Sequence, residues 1–395
     1  MSIDVARARA DTPGCAHVAH FNNAGASLAP DPVLGRVIGH LQLEAQVGGY
    51  EAAMRRADEL AAVYTSIARL VGAETDEIAL TDSATTAWNN VCYSLAATFS
   101  AGDRILTSRA EYGSNVIALL QMAGHTGARI EIIPDDEHGQ VSVDALHESL
   151  DERVKLVAIT HVPTQGGLVN PVVEIGRVVR DTDAVYLVDA CQSAGQLAID
   201  VGDIGCDALS ATGRKYVRGP RGTGWLFASR ALVSRLEPTT LDLRSARWVA
   251  VDRYEIADTA RRFESFEAGI AGKLGLGAAV EYALGWGLDA IEARVTALGA
   301  SLREQLVAIP GVDVHDLGVR KCGIVTFTVE GVEPDEVAVT LRSQGINVWV
   351  SLMEYARFDL EARALPKLVR ASAHYYNTDD EVARLAAAVA AIAAR

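Results

Sequence analysis

The sequence predicts an α/β protein: a mostly parallel, doubly wound sheet in a large domain, followed by a smaller α+β domain at the C-terminal end. Two observations indicate this. Short, unbroken apolar runs alternate with helical segments through the first half of the chain, and strands of that kind are typical of parallel sheets covered by helices on both faces. In addition, 395 residues exceed what one simple hydrophobic core holds, so two domains are expected.

The elements of the large domain follow one another in a regular order. Residues 1–20 are predicted to form an arm, and helical periodicity over 31–71 is interrupted at Gly48 and Gly49. A strand at 77–81 then runs into a helix. The further predicted strands are 104–107, 129–134, 155–160, 184–189, 208–211 and 224–228, and the helices between them include 113–124, 143–150 and 172–180.

A long apolar helix over 270–292 is predicted to link the two parts of the chain. After it, the pattern indicates helices at 289–308, 334–344 and 379–394 and strands at 312–315, 323–329, 348–351 and 368–373. The predicted organisation is therefore an arm (1–20), a large domain (21–269), the linking helix (270–292) and a small C-terminal domain (293–395).

Composition excludes several classes of function. With 36 basic and 51 acidic residues the net charge is −15, which argues against binding to a nucleic-acid backbone. The N-terminus lacks an apolar signal core, and no run approaches the roughly 18–20 apolar residues of a membrane span. Five scattered cysteines without a CxxC spacing favour a reducing compartment over a disulfide framework or zinc site. We therefore expect a cytoplasmic protein with no membrane, nucleic-acid or metal partner.

One lysine and one acid indicate the chemistry. Asp189 ends an apolar strand, and Lys215 follows a later strand among small residues, a threonine and arginines, ahead of a glycine-rich turn. Pyridoxal phosphate needs this combination: a lysine that binds its aldehyde as an imine and an acid that pairs with its pyridine nitrogen. Of the five lysines, only Lys215 both follows a strand end and lies among phosphate-binding residue types. The alternative, a surface lysine in a basic loop, stays open at this point.

Polar residues at other strand ends add to this site. The stretch 82–90 opens a helix directly after a strand, so its free backbone amides would favour a phosphate, although an ordinary Ser/Thr cap has the same pattern. Thr160, Asp189 and Thr212 also fall at strand ends, which is where open α/β sheets bind ligands. The turn at 219–224 precedes a strand rather than a helix, which argues against a dinucleotide site.

With these motifs in order, the chain from Phe21 to its end resembles the class V aminotransferase group of fold-type I pyridoxal-phosphate enzymes, which contains the cysteine desulfurases and isopenicillin-N-epimerase-like proteins. The resemblance implies a seven-stranded type of sheet in the large domain, pyridoxal phosphate as cofactor, an α-amino acid as substrate and a homodimer. It also implies a set of cofactor-binding residues: Ala84 (through its backbone), Thr85, Thr212 and Arg214 at the phosphate, Asp189 at the ring nitrogen, Gln192 at the ring hydroxyl, Tyr112 stacked on the ring, and Lys215.

The same resemblance implies substrate contacts. Arg370 matches the carboxylate-binding arginine, Thr164 stands near the ring and the carboxylate, and the backbone of Asn23 and Ala24 is expected to approach the same carboxylate. Tyr112 and His161 are candidate acid–base residues, with a structural role for His161 equally open.

Three positions depart from the desulfurase pattern. Arg214 stands where desulfurases carry a histidine, and a guanidinium can also bind phosphate. Glu267 stands where the partner subunit of a desulfurase supplies a threonine to the phosphate. The stretch 345–356, which matches the mobile loop that carries the desulfurase nucleophile, contains no cysteine.

The missing thiolate makes persulfide formation on the enzyme unlikely to be the reaction. We therefore expect a carbon–sulfur β-lyase acting on a cysteine conjugate or sulfoxide, similar to the cysteine-less sulfoxide lyase of ergothioneine synthesis. Transamination and isopenicillin-N-type epimerisation are the alternatives. A non-catalytic binding protein is a further one, against which the complete lysine, aspartate and arginine set weighs.

Overall fold

A seven-stranded sheet forms the centre of the large domain in the computed structural model, which describes residues 2–395. Its strands are β2 (Ile78–Thr81), β3 (Arg104–Thr107), β4 (Arg129–Ile132), β5 (Val154–Thr160), β6 (Val185–Asp189), β7 (Ala208–Thr212) and β8 (Gly224–Ala228). They lie in the order β2-β8-β7-β6-β5-β3-β4, and only β8 runs antiparallel to its neighbours. The predicted mostly parallel α/β sheet is confirmed.

Alternation along each strand sends side chains to two separate cores. In β5, Val157 and Ile159 belong to one apolar cluster and Leu156 and Ala158 to the other, and all four are buried. Helices therefore cover both faces of the sheet, as the unbroken apolar strands predicted. These helices are α2 (Asp31–Val47), α3 (Gly49–Arg55), α4 (Ala57–Val71), α5 (Ala84–Ala96), α6 (Gly113–Thr126), α7 (Val143–Ser149), α8 (Val172–Val179), α9 (Val201–Ile204) and α10 (Arg230–Arg235).

The predicted linking helix consists of two helices. α11 (Ile270–Trp286) and α12 (Leu288–Val307) meet at Gly287, whose φ of 85° lies in the left-handed region that glycine adopts without strain. α11 packs on α2 and α4 of the large domain. α12 belongs to the C-terminal unit, because Leu298 and Leu302 are fully buried in its core.

The C-terminal unit is an α+β layer. Its strands are β11 (Val312–Val314), β12 (Ile324–Val329), β14 (Trp349–Leu352) and β15 (Lys367–Ser372), paired antiparallel in the order β11-β12-β15-β14. The accompanying helices are α13 (Pro334–Ser343), α14 (Arg357–Ala362) and α15 (Asp379–Ala393).

The N-terminal segment is attached to this C-terminal unit. It contains α1 (Val5–Ala10) and β1 (Ala19–His20), and β1 pairs parallel with β13 (Ile346–Asn347). Phe21 is fully buried in the same core as α12. The sequence pattern predicted an arm over residues 1–20 but not its pairing with β13, because a partner strand more than 300 residues away leaves no local signal.

An exposed hairpin follows α10 and precedes α11 along the chain. Its strands β9 (Ala246–Ala250) and β10 (Arg253–Ile256) were not predicted, since they lack apolar alternation. Trp248 and Tyr254 on it are 71% and 53% exposed. Within residues 2–395, no helix combines the length and the apolarity that crossing a membrane requires.

Candidate functional site

Strand ends converge at one edge of the seven-stranded sheet. The parallel strands β5, β6 and β7 end at Thr160, Asp189 and Thr212, and the register sets Thr160 opposite Asp189 and Asp189 opposite Ser210. Because parallel strands present their carboxyl ends on the same side, polar residues that are distant in sequence meet there.

Two connected cavities open at this edge. The inner cavity, of about 30 Å³, and the outer cavity, of about 280 Å³, share Tyr112, Thr164 and Lys215 in their walls. The remaining inner residues are Ala84, Thr85, Asn115, Thr160, Val162, Asp189, Cys191 and Gln192. The remaining outer residues are Asn22, Ala24, Gly25, Ala26, Arg214, Arg221, Trp349, Tyr355 and Arg370.

Lys215 lies in the turn that follows β7 and lines both cavities. It is 8% exposed, and its amine has no hydrogen-bond acceptor or ion-pair partner within residues 2–395. Burial lowers the pKa of Lys215, and the neighbouring Arg214 and Arg370 lower it further. A buried amine with a depressed pKa is more often neutral, which is the form that attacks an aldehyde.

Asp189 lies deeper, and two donors hold its carboxylate. The backbone amide of Cys191 donates to Oδ1 at 2.7 Å, and Asn115 Nδ2 donates to Oδ2 at 2.8 Å. The residue is buried, so the carboxylate is fixed in one orientation at the wall of the inner cavity. A fixed carboxylate in this position suits the pairing with a pyridinium nitrogen that the sequence predicted.

A second buried acid stands behind Asp189. Glu111 accepts hydrogen bonds from Asn115 Nδ2 at 2.8 Å, from the Tyr112 amide at 2.9 Å and from the Thr160 amide at 2.9 Å. Burial raises the pKa of Glu111 to about 7, with a smaller rise from the neighbouring Asp189. Asn115 thus donates to both acids and couples Glu111 to the carboxylate of Asp189.

The first turn of α5 lies at the inner cavity. The Ser83 hydroxyl accepts from the Thr86 amide at 3.1 Å, while the amides of Ala84 and Thr85 find no acceptor among residues 2–395. Gly224 of β8 lies so close that a Cβ there would be 2.8 Å from the Ala84 nitrogen. Free amides at a helix start attract phosphate, so Ala84 and Thr85 have the geometry the prediction required.

The other two predicted phosphate ligands are placed differently. Thr212 donates its hydroxyl to the Thr223 carbonyl at 3.3 Å and is not part of either cavity wall. Arg214 lines the outer cavity, where its guanidinium contacts the Gly25 carbonyl. A phosphate contact by either side chain would need a reorientation, so both assignments stay predictions.

Gln192 and Tyr112 flank the inner cavity as expected for ring contacts. Gln192 Nε2 donates to the Ala24 carbonyl at 3.1 Å, whereas its buried Oε1 has no partner among the described residues. Tyr112 precedes α6, and its ring centre lies 5.9 Å from Lys215 Nζ.

Arg370 projects from β15 into the outer cavity. Its Nη1 donates to the carbonyl of Thr164 at 3.1 Å and to the hydroxyl oxygen of Thr164 at 2.5 Å. Nη2 lies 3.4 Å from Asn22 Oδ1, and the buried Nε has no partner within residues 2–395. Burial lowers the pKa of Arg370 to about 10, so it remains a cation at neutral pH. The guanidinium is therefore positioned and only partly satisfied, which suits a carboxylate ligand.

The predicted backbone contacts of Asn23 and Ala24 stay predictions. Ala24 lines the outer cavity, and its amide donates to Ser372 Oγ at 2.9 Å, so binding a substrate carboxylate would require this bond to be exchanged. Asn23 is fully buried, and its side-chain Nδ2 donates to the Ser372 carbonyl at 2.7 Å. The neighbouring Asn22, which the sequence did not single out, is the residue of this turn that faces Arg370.

His161 is the predicted acid–base residue that the structure does not bring to the site. Thr160 and Val162 line the inner cavity, whereas His161, just beyond the end of β5, lines a separate cleft with Asn170 and Arg320. Burial and the nearby Arg320 lower the pKa of His161 to about 3. This placement favours the structural interpretation of His161, and its catalytic role stays a prediction.

A cysteine, the side chain that could supply a thiolate nucleophile, lines the inner cavity but not the outer one. Cys191 is the one cysteine in either wall; it faces the inner cavity, and burial raises the pKa of its thiol far above the usual value. On the small-domain side, Trp349 and Tyr355 line the outer cavity, and α14 follows directly. Among the described residues, no cysteine therefore lines the outer cavity.

These unsatisfied groups fit pyridoxal phosphate. The Lys215 amine, the Ala84 and Thr85 amides and Gln192 Oε1 all lack partners among residues 2–395. An aldehyde, a phosphate and a ring hydroxyl are the groups that would satisfy them, and Asp189 supplies the acid for the ring nitrogen.

Comparisons with known proteins agree with this geometry. The family model described as "Aminotransferase class-V" matches residues 19–385. A probable cysteine desulfurase of Xylella fastidiosa is 36% identical over 329 residues, covering 83% of this chain and 79% of the relative. A probable cysteine desulfurase of Methanothermobacter thermautotrophicus is 31% identical over 343 residues, covering 85% and 84%.

Solved structures show the same resemblance. The apo structure of a cysteine desulfurase from Thermococcus onnurineus superposes with a TM-score of 0.93 at 27% identity, covering 100% of this chain and 99% of that one. The relatives and the solved structure are all named as cysteine desulfurases. The prediction that persulfide formation is unlikely is therefore not supported by these comparisons, and neither is a lyase or an epimerase.

Proposed function

The chain belongs to the class-V aminotransferase family of pyridoxal-phosphate-dependent enzymes, and on that premise we propose that it cleaves the Cβ–S bond of a cysteine-derived amino acid by β-elimination. One observation carries the proposal. Lys215, Asp189 and Arg370 converge on connected cavities, while the outer cavity, which takes the substrate, has no cysteine in its wall.

Each residue has a defined task. Bound pyridoxal phosphate supplies an electron sink that makes the substrate Cα–H acidic. Asp189, held by Asn115, would pair with the ring nitrogen of the cofactor. Arg370 would bind the α-carboxylate and so orient the substrate Cα–H bond for deprotonation. Lys215 Nζ takes the Cα proton and returns a proton to the departing sulfur.

The atoms balance without a protein thiol. A cysteine conjugate and one water give a thiol, pyruvate and ammonium, and no external oxidant or reductant is used. A sulfoxide gives a sulfenate in place of the thiol. Tyr112 would contact the cofactor ring, and Ala84 and Thr85 would hold its phosphate through their amides.

A persulfide-forming desulfurase is the second candidate, favoured by the names of the relatives at 31–36% identity. That reaction needs a thiolate that attacks the substrate sulfur. Cys191 is the one cysteine at the cavities, and its raised pKa beside Asp189 disfavours the thiolate. The two reactions also leave different carbon products: alanine from desulfuration and pyruvate from elimination.

Transamination and epimerisation are weaker alternatives. Epimerisation needs a second acid–base group on the opposite ring face, and of the two predicted candidates only Tyr112 lines the cavities. Transamination would leave the cofactor in its amine form after one turnover in the absence of a keto acid.

Product analysis separates these reactions. Purified holoenzyme is mixed with cysteine, S-alkyl cysteines, their sulfoxides and alanine without a keto acid, while pyruvate, alanine and the visible spectrum of the cofactor are followed. Sustained pyruvate formation supports elimination. Alanine together with a protein mass increase of one sulfur atom would establish desulfuration instead. Lys215→Ala, which should lose both the covalent cofactor and turnover, is the control.

We further propose a cytoplasmic homodimer. All five cysteines are free thiols, which a reducing compartment preserves. Two exposed apolar surfaces could pair between subunits: the hairpin with Trp248 and Tyr254, and the α2 face with Leu34, Ile38 and Leu41. Sedimentation equilibrium tests the dimer, and a monomer at micromolar concentration would contradict it.

A further inference from the structure

The outer cavity carries an excess of positive charge. Four of its twelve wall residues are cations (Arg214, Lys215, Arg221 and Arg370), and none is an aspartate or glutamate. The cations affect one another: Arg221 lowers the pKa of Arg214, and Arg214 lowers that of Arg370, in each case after the larger effect of burial. A cavity that concentrates like charges without a counter-ion is built to receive anions.

Three of the four cationic side chains already have a proposed ligand. Lys215 binds the cofactor aldehyde, and Arg370, held by Thr164, is placed for the α-carboxylate. Arg214 contacts the Gly25 carbonyl and is the predicted phosphate ligand. Arg221 has no such assignment: it is exposed, and no hydrogen bond or ion pair engages its side chain within residues 2–395.

The position of Arg221 points to the substrate rather than the cofactor. The free amides of Ala84 and Thr85 line the inner cavity, whereas Arg221 lines the outer cavity together with Arg370, the residue placed for the substrate carboxylate. Arg221 also shares the outer wall with Trp349 and Tyr355 of the small domain. The turn that carries it is held by Gly222, whose φ of 73° is the left-handed conformation that favours glycine.

We propose that Arg221 binds a second anionic group on the substrate. The preferred substrate is then a cysteine-derived amino acid whose sulfur substituent ends in a carboxylate or another acid. The proposal rests on the function proposed above and specifies its substrate class. Arg370 binds the α-carboxylate, and Arg221 binds the distal acid. A guanidinium is suited to this, because its planar fork matches a carboxylate with two hydrogen bonds.

Two substrates of equal size test this directly. S-carboxymethyl-cysteine carries the distal acid, and S-carbamoylmethyl-cysteine replaces it with a neutral amide of the same shape. We expect kcat/KM for the acid to exceed that for the amide by about two- to fivefold, the range for an ion pair with an exposed arginine. Arg221→Gln should abolish the preference by lowering only the value for the acid, and Arg221→Lys should keep part of it.

Arg69→Gln is the matched control, because it removes an exposed arginine on α4 that pairs with Glu281 and leaves both cavities unchanged. It should retain the full preference. An equal kcat/KM for the two substrates in the native enzyme, or an undiminished preference in Arg221→Gln, would overturn the proposal.

A binding measurement separates this proposal from the reaction itself. Calorimetric titration of the holoenzyme with succinate and with its monoamide succinamate needs no turnover. Tighter binding of succinate, lost in Arg221→Gln, supports the proposal even if no cysteine conjugate is cleaved. Equal binding of the two ligands alongside pyruvate formation would overturn the proposal for Arg221 and leave the elimination reaction standing.

Discussion

The buried acid Glu111 makes the stability of this protein depend on pH in a way that one substitution should remove. Its carboxyl is fully enclosed behind Asp189 and receives hydrogen bonds from Asn115, Tyr112 and Thr160. Burial nevertheless raises the pKa of Glu111 to about 7 from an ordinary value of 4.5. The perturbation we propose is Glu111→Gln, which keeps the volume and removes the titration.

The magnitude follows from proton linkage. Between the unfolded and folded pKa values the folded state holds a proton that the unfolded state has lost, so the stabilising contribution is fully present below pH 4.5 and is lost as pH rises through 7. A separation of about 2.5 pH units at about 1.36 kcal/mol each gives a loss of about 3 kcal/mol. With about 2.1 cal/mol/K of unfolding entropy per residue over 395 residues, that corresponds to about 4 °C in the melting temperature.

The assay is thermal unfolding of native protein and Glu111→Gln at half-unit intervals from pH 5 to 8.5. The melting temperature of the native protein should fall by about 3 °C more than that of the variant between pH 5 and 8.5, because only the native protein has this proton to lose and part of the loss already occurs below pH 5. Glu148→Gln, on the exposed side of α7, is the control and should follow the native curve. Parallel curves for native protein and Glu111→Gln would refute the reasoning, since they would show that Glu111 is ionised throughout.

Three further substitutions test other parts of the account. Arg370→Lys replaces a planar fork with a single ammonium and should raise KM for the amino acid about tenfold with a smaller change in kcat; an unchanged KM would contradict its carboxylate role. Gly224→Ala places a Cβ 2.8 Å from the Ala84 nitrogen and should weaken cofactor affinity about tenfold in a spectroscopic titration of the apoenzyme, whereas native affinity would argue against a phosphate site at Ala84 and Thr85. Arg218→Ala removes a buried guanidinium that donates to Tyr375 at 2.7 Å and should lower the free energy of unfolding by about 3 kcal/mol; no change in denaturant midpoint would contradict its structural role.

Most of the large-domain sheet could be predicted from sequence because its signals are local. An apolar run such as 155–160 is sufficient to identify a buried strand. The polar residue that ends the run indicates the edge of the sheet at which a ligand is expected to bind. Lys215, Asp189, Gln192 and Arg370 were found in this way or by resemblance, and the structure places all four at the cavities.

The residues that sequence reasoning missed depend on contacts between distant segments. Asn115 reaches Asp189 across 74 positions, and Asn22 reaches Arg370 across 348. Glu111 and Asn115 lie on either side of the predicted Tyr112, Glu111 just before the cap of α6 and Asn115 in its first turn, and they meet through the hydrogen bond from Asn115 Nδ2 to Glu111.

The position of His161 could not be derived from the sequence. β5 ends at Thr160, so strand alternation does not extend to His161, and only the structure places it in a different cleft from Thr160 and Val162. Trp248 and Tyr254 gave no comparable signal, because an exposed hairpin has no buried face to impose a period.

The most direct test of the account is the carbon product formed from S-carboxymethyl-cysteine by the holoenzyme in the absence of any keto acid. Elimination predicts pyruvate and thiol in equal amounts over many turnovers per active site, with the visible absorption of the lysine-bound cofactor retained, and none of this with Lys215→Ala. Formation of alanine, or a single turnover that ends with the cofactor in its amine form, would contradict the central claim.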